Sequence, residues 1–232
     1  MNTLIVFAHP EAQSFCATMK NTAADVLKEQ GKVEISDLYA MRFKAVADES
    51  DFLERENKDY FNYALEQRAA QKNGTLSPDI VAELEKIERA DFLLFIFPLY
   101  WYSVPAILKG YFDRVFVSGK AYGGKRIYQK GGFSGKRASL AFSLGGHQGL
   151  FGQNGIHGEL ETLLKPILQG TLGYVGLDVL KPFVAYHVPY IKESARHAIL
   201  DNFERYLKNL DSVPLLKMPN LMDFDEKFNP IV

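Results

Sequence analysis

Cysteine is almost absent: Cys16 is the one thiol in 232 residues. That excludes an intrachain disulfide framework and any zinc or iron–sulfur site built on several cysteines, and it fits a reducing compartment. Neither sign of charge is in excess. Lys and Arg number 27 against 28 Asp and Glu, a formal net charge of −1, so no nucleic-acid partner is expected. Long apolar runs are lacking, and nothing approaches the roughly 18 residues that span a bilayer. The opening MNTLIVFAHPEAQ has no basic segment and only a short apolar run, so it reads as a buried strand and not as a signal peptide. The expectation is a soluble, cytoplasmic protein. Three phosphate and nucleophile motifs are missing too. There is neither G-x-G-x-x-G nor G-x-x-x-x-G-K-[ST], and no G-x-S-x-G, which leaves a hydrolase elbow without support.

What is present is a large apolar fraction, 47%, with 13% aromatic residues, and an alternation of short apolar runs with helical spacing. Leu4 to Ala8 reads as a strand. Residues 14–30 show helical spacing with Ser14 as the cap, and Val33 to Ile35 suggests a second strand. Residues 38–75 are polar and irregular with a helix near their end. At Leu76-Ser77-Pro78-Asp79 a helix starts: Ser77 can cap, Pro78 suits the first position and Asp79 favours the dipole. Phe92 to Phe97 is a strand buried on both faces and ended by Pro98, and residues 104–116 return to helix. Arg137 to Phe142 is a fourth strand. A helix is expected from about Gly158 to Tyr174, a fifth strand from Val179 to Tyr186, and a last helix from Lys192 to Leu207. Strands apolar on both faces alternating with helices imply a parallel sheet covered on each side. The economical division is one α/β domain, 1–212, and a proline-punctuated tail, 213–232, wrapping its surface.

In such sheets ligands bind beyond the carboxyl ends of the strands. Three loops should meet there. The loop after the first strand offers His9, Gln13, Ser14 and the N–H groups that open a helix, suited to a phosphate. The loop after the third offers Trp101 and Tyr102, suited to a planar ring. The loop after the fourth, SLGGHQGLFGQNGIHGE, carries six glycines and two histidines, and it could cradle a phosphate, bind a metal or lie against a flat cofactor. A phosphate site after strand one, a flat ring and no Rossmann or P-loop motif together point to a flavin in a flavodoxin-like fold.

The blocks LIVFAHPEAQSF, SDLYAM, LSPDIVAE, FPLYWYSVPAILKGYFDRVF and GGHQGLFGQNGIHGE occur in that order over nearly the whole chain. Together they resemble the NAD(P)H:quinone oxidoreductase, or DT-diaphorase, family. Ending at Val232, the chain is similar to the shorter members without a C-terminal extension. The resemblance implies a flavodoxin-like, doubly wound, five-stranded parallel sheet of order 2-1-3-4-5 with helices on both faces. It implies a homodimer with FAD, more than FMN, in active sites at the subunit interface, and ping-pong, two-electron reduction of a quinone-like acceptor by NADH or NADPH. His9, Ser14, Phe15 and Cys16 then match positions at the FAD phosphates, with Cys16 replacing a usual asparagine. Pro98, Leu99, Trp101 and Tyr102 match the segment along the flavin ring, and Ser143, Leu144, Gly145 and Gly146 the loop whose backbone hydrogen-bonds it. Asn62 falls at a polar cofactor contact, and Arg196 where a basic residue sits near the adenine end. His157 matches the catalytic histidine. Tyr122 and Tyr174, with Trp101, Tyr102 and His157, match the substrate pocket, the two tyrosines coming from the second subunit.

Departures from the pattern matter as much. Gly124 stands where a second pocket tyrosine belongs, which should widen the site. Phe151 stands at the catalytic tyrosine. Gln169 and Gly173 replace a metal-binding histidine pair found in some members, so no metal is expected. An imidazole, with an ordinary pKa of about 6.5, can become the counter-ion of the reduced ring near neutrality, which is the role given to His157. His147 and Tyr102 are the candidates to replace the missing hydroxyl, and His187 and His197 read as structural. A second function is implied by relatives that sit on membrane potassium-efflux proteins: a flavin-binding regulatory subunit with a membrane partner.

Overall fold

A computed structural model describes residues 1–231. The sheet follows from burial on both of its faces. In β1 (Thr3–Phe7) and β3 (Phe92–Pro98) every residue is buried, which only a centre lane covered on both sides requires. Leu4 and Val6 face one layer with Leu93, Phe95, Leu140 and Phe142, under α3 (Pro78–Arg89) and α4 (Ala106–Val115). Ile5, Phe7, Leu94 and Ile96 face the other, under α1 (Phe15–Lys28) and the long C-terminal helix Glu193–Lys208. β2 (Val33–Asp37) and β4 (Arg137–Ser143) flank these lanes, all parallel. Among the described residues no helix is long and apolar enough to cross a membrane.

The order begins 2-1-3-4 as expected, but the fifth lane is divided. β5 (Asp178–Val179) and β6 (Phe183–Ala185) both pair with β4, so the sheet has six strands. Pro182 stands between them and cannot donate to a ladder. The tail joins this lane antiparallel to it: Lys181 donates to Pro214 O (2.8 Å) and Leu216 to Val179 O (2.8 Å). The helix expected over 158–174 is also broken. It comprises α5 (Leu160–Leu163), α6 (Lys165–Ile167) and a wide π turn, Leu168–Gly173. Pro166 has no N–H to continue α5, so the helix restarts there. At Ser77 the hydroxyl turns to Asp79 Oδ1 and does not cap the backbone of α3. The C-terminal helix Glu193–Lys208 becomes α7 in chain order.

The polar excursion 38–76, which holds α2 (Tyr63–Asn73), is pinned to α4 by a buried ion cluster. Arg114 and Asp51 are 1% and 0% exposed. Arg114 donates Nε and Nη2 to Asp51 Oδ1 (3.0 and 2.8 Å) and Nη1 to Lys44 O (2.9 Å). Lys44 and the Tyr63 hydroxyl also reach Asp51, at 2.8 and 2.7 Å. Burial alone would push the Asp51 carboxyl up; hydrogen bonds from Arg114, Lys44 and Tyr63 outweigh it and hold it below the usual range. A depressed carboxylate stabilises the fold above the unfolded-state pKa of about 3.9, and that contribution is lost as pH falls through the lower folded value. Stability should therefore decline with acid below about pH 4, and Asp51→Asn should flatten that decline in pH-dependent denaturant titrations.

Candidate active site

β1, β3 and β4 deliver their carboxyl ends side by side, with Phe7 opposite Ile96 and Pro98 opposite Ser143. After β1, Ser14 caps α1 by accepting from Ala17 N (3.1 Å), and α1 has no acidic residue in its first turn. The N–H groups of Phe15 and Cys16 are therefore open donors at an uncompensated positive helix end, a setting that suits a phosphate. His9 accepts the Glu11 N–H at Nδ1 (3.0 Å), which puts its own proton on Nε2. Burial pushes the His9 pKa down, so its neutral form is favoured. Cys16 is buried, and its Sγ lies 3.1 Å from Ser143 Oγ, tying α1 to the end of β4. Burial pushes this thiol up and keeps it protonated.

After β3 the chain makes a two-residue turn, with Tyr100 N donating to Ser103 O (3.0 Å) and Ser103 N to Tyr100 O (2.8 Å). Its central residues are Trp101 and Tyr102, at φ 51° and 53°. Such turns normally take Asn or Gly, and a bulky residue there costs about 1–3 kcal/mol. The turn holds Trp101 97% exposed. It also sets the Tyr102 ring 5.7 Å from that of His157 and 6.4 Å, edge-on, from that of Phe151.

The glycine loop after β4 is anchored by His187. Leu144 exchanges hydrogen bonds with Ala185 O (3.0 Å) and Val188 N (3.2 Å), His187 N donates to Gly146 O (2.9 Å), and its Nδ1 donates to Gly145 O (2.8 Å). Because peptide units are trans, carbonyls turned toward His187 leave the N–H groups of Gly146 and His147 facing away from it. His147 stacks on His187 with centroids 3.5 Å apart. Further on, the loop doubles back so that His157 N reaches Leu150 O (2.9 Å). Gly155 permits this: a Cβ there would lie 2.5 Å from Leu150 O. Gly152, at φ 116°, supplies a second conformation that side chains avoid. The result is an exposed His157 packed 5.5 Å from Phe151, whose ring also meets Tyr186 at 5.9 Å. Behind Phe151 lies a cavity of about 340 Å³ lined by Phe142, Leu160, Leu164, Val184 and Tyr186.

The strand ends thus gather His9, Ser14, Phe15, Cys16, Pro98, Leu99, Trp101, Tyr102, Ser143, Leu144, Gly145, Gly146, Phe151 and His157. Arg196 is beside them, its Nη2 donating to Val188 O at 3.5 Å. Main-chain groups of Leu144 are used within the protein, so the outward donors are those of Gly146 and His147. Asn62, Tyr122 and Tyr174 lie elsewhere in the chain's fold. Tyr122 and Tyr174 are 5.8 Å apart and, with Phe61 and Tyr63, line a separate cavity of about 590 Å³. Asn62 caps α2, accepting from Leu65 N (3.2 Å). Gly124 is exposed at φ 58°. Gly173 packs on the tail: a Cβ there would fall 2.4 Å from Met218 Sδ. Among the described residues no three His, Cys, Asp or Glu side chains are grouped to hold a metal ion. His187, which sequence reading leaves as structural, is the residue that fixes the glycine loop. Its one sequence signal is its place just past a strand's carboxyl end.

A parallel sheet of this order, with an anion-type helix end after β1 and aromatic and glycine loops after β3 and β4, defines a flavodoxin-like protein. A family profile described as flavodoxin-like fold matches residues 1–210. The chain is 41% identical over 228 residues to NAD(P)H dehydrogenase [quinone] 1 of Cavia porcellus, covering 97% of this chain and 82% of the relative. It is 38% identical over 209 residues to human ribosyldihydronicotinamide dehydrogenase [quinone], covering 89% and 90%. A Klebsiella pneumoniae structure provisionally described as a quinone reductase superposes with a TM-score of 0.91 at 35% identity, covering 97% and 91%. The chain belongs to the NAD(P)H dehydrogenase (quinone) family.

Proposed function

We propose that the protein is a cytoplasmic, FAD-dependent NAD(P)H:quinone oxidoreductase that moves two electrons by a ping-pong route from NADH or NADPH to a quinone-like acceptor. The observation that carries this reading is the convergence at one sheet edge of three features: the open α1 N-terminus, the strained Trp101-Tyr102 turn, and the outward Gly146 and His147 N–H groups beside His157. This donor set fits the group. The α1 end and the Nε2–H of His9 suit phosphates, Arg196 flanks them, and the outward N–H pair suits the polar edge of a flat ring carrying carbonyl oxygens. When bound, flavin supplies the hydride chemistry. The chain's residues supply the rest. Trp101 and Tyr102 cover the ring's surroundings, and His157 is the charge partner placed beside the site. The cluster of Asn62, Tyr122 and Tyr174 is assigned to the matching site of a second copy, so the working unit is a homodimer with active sites between subunits.

Flavin released from the purified protein by denaturation and identified by chromatography tests the cofactor. FAD is expected, and a protein that takes up no flavin contradicts the proposal. A second test concerns Phe151. Its ring lies against both His157 and Tyr102. Phe151→Tyr adds a hydroxyl beside the imidazole, and stopped-flow reduction by NADH should then be faster than in wild type. An unchanged rate would show that the site gains nothing from a hydroxyl at this position.

A further inference from the structure

We propose that the Tyr102 hydroxyl is the hydrogen-bond donor that receives the acceptor's carbonyl oxygen. The assignment rests on the quinone-reductase reading above and names the residue that performs one of its tasks. Tyr122 and Tyr174, assigned above to the site of a second copy, would bring their hydroxyls from the other subunit; on this chain's own side of the site Phe151, packed on His157, carries none. Two rings pack against that of His157, those of Tyr102 and Phe151, and only Tyr102 has an O–H.

Other neighbours are turned to different tasks. His147 is stacked face to face on His187 at 3.5 Å, and His187 is itself held by Gly145 O. Tyr186 is half-buried on the Phe151 ring and lines the cavity behind it, where burial pushes its phenol up. Tyr102 is 38% exposed and packs on both His157 and Phe151. Its place is built into the backbone, since it and Trp101 are both held at positive φ, a strain that persists only where the surrounding structure enforces it.

The chemistry needs such a donor. A quinone that gains a hydride, two electrons and one proton, becomes a hydroquinone monoanion, and one further proton completes the neutral product. Negative charge therefore develops on a carbonyl oxygen in the transition state. A bound flavin would supply the hydride, and water, by way of His157, would supply the second proton. Tyr102 keeps its own proton and stabilises the oxygen by hydrogen bonding. Removing one preorganised donor of this kind costs about 10²–10³ in rate in a closed site; at this part-exposed position a loss of roughly tenfold to a hundredfold is expected.

The test compares wild type, Tyr102→Phe and Tyr102→Phe/Phe151→Tyr, each loaded with flavin, on benzoquinone and on ferricyanide, which has no carbonyl oxygen to receive a bond. Tyr102→Phe should lower the ratio of the two kcat/KM values at least tenfold. It should also weaken hydroquinone binding to the oxidised holoprotein, read from the flavin difference spectrum. The double variant, with a hydroxyl on the adjoining ring, should recover part of both. An unchanged ratio, or unchanged hydroquinone affinity, overturns the assignment. A wild-type protein that binds flavin and NADH but reduces no quinone overturns instead the functional reading on which it rests.

Discussion

His157→Ala is expected to slow reduction of the bound flavin by NADH by about two to three orders of magnitude, the range for loss of one preorganised stabilising group. The position of His157 is not incidental to the fold. The loop returns on itself through Gly155, whose Cβ would strike Leu150 O, and the His157 N–H closes on that same carbonyl at 2.9 Å. The imidazole then packs between Tyr102 and Phe151. Two added electrons bring negative charge to the site, and an imidazole is the side chain that can carry the balancing proton near neutral pH. His157→Gln, which keeps a donor but cannot become a cation, should recover less than half of the lost activation free energy. Flavin content should stay at the wild-type level in both variants, because the donors proposed for the phosphates belong to α1 and the His9 loop. Equal reduction rates in wild type and His157→Ala would remove His157 from the mechanism.

Arg114→Met should lower stability by roughly 3–5 kcal/mol, the usual result of removing one partner of a buried ion pair, because Asp51 keeps Lys44 and Tyr63 but loses both guanidinium bonds. For a chain of this size that corresponds to a fall in Tm of roughly 6–20 °C. The effect is large because one guanidinium serves several elements: Asp51 in the excursion, Asp79 at the start of α3 (2.8 Å), Lys44 O, and the Phe43 ring 4.9 Å below it. The excursion it holds carries Asn62 and Tyr63, so its loosening also disturbs the second aromatic cluster. Arg114→Met combined with Asp51→Leu removes both charges, and thermal unfolding should show the double variant more stable than Arg114→Met alone. A double variant as unstable as the single one would mean that packing, not the carboxylate deprived of its guanidinium, dominates.

Much of the sheet was legible because strands buried on both faces are continuous apolar runs, as at 92–97, and no helix competes for such short segments. The helices around Ser14 and Lys192 follow from the same alternation, whereas the order 2-1-3-4 is the one the family resemblance implies. The divided fifth lane and the broken helix over 158–174 were not legible. At Pro182 and Pro166 the apolar pattern continues through a residue that interrupts hydrogen bonding, and periodicity records the pattern alone. The site divides in the same way. The glycines, Trp101 and the α1 cap stand at strand ends and announce themselves. His187, which anchors the glycine loop from 42 residues away, and the Cys16–Ser143 contact across 127 residues, depend on tertiary closure and leave no local mark. Tyr102 was one of two candidates by sequence proximity to replace the missing hydroxyl, and the stacking of His147 on His187 separates them.

The central claim is that this sheet edge passes electrons from a nicotinamide through a bound flavin to a quinone. Its most direct test is sequential-mixing stopped flow: flavin-loaded protein is mixed anaerobically with one equivalent of NADH, then with benzoquinone, while the flavin's visible absorbance is followed. Full bleaching is expected in the first step and full recovery, with one hydroquinone formed per flavin, in the second. A flavin that NADH does not bleach, or that stays bleached when benzoquinone is added, would contradict it.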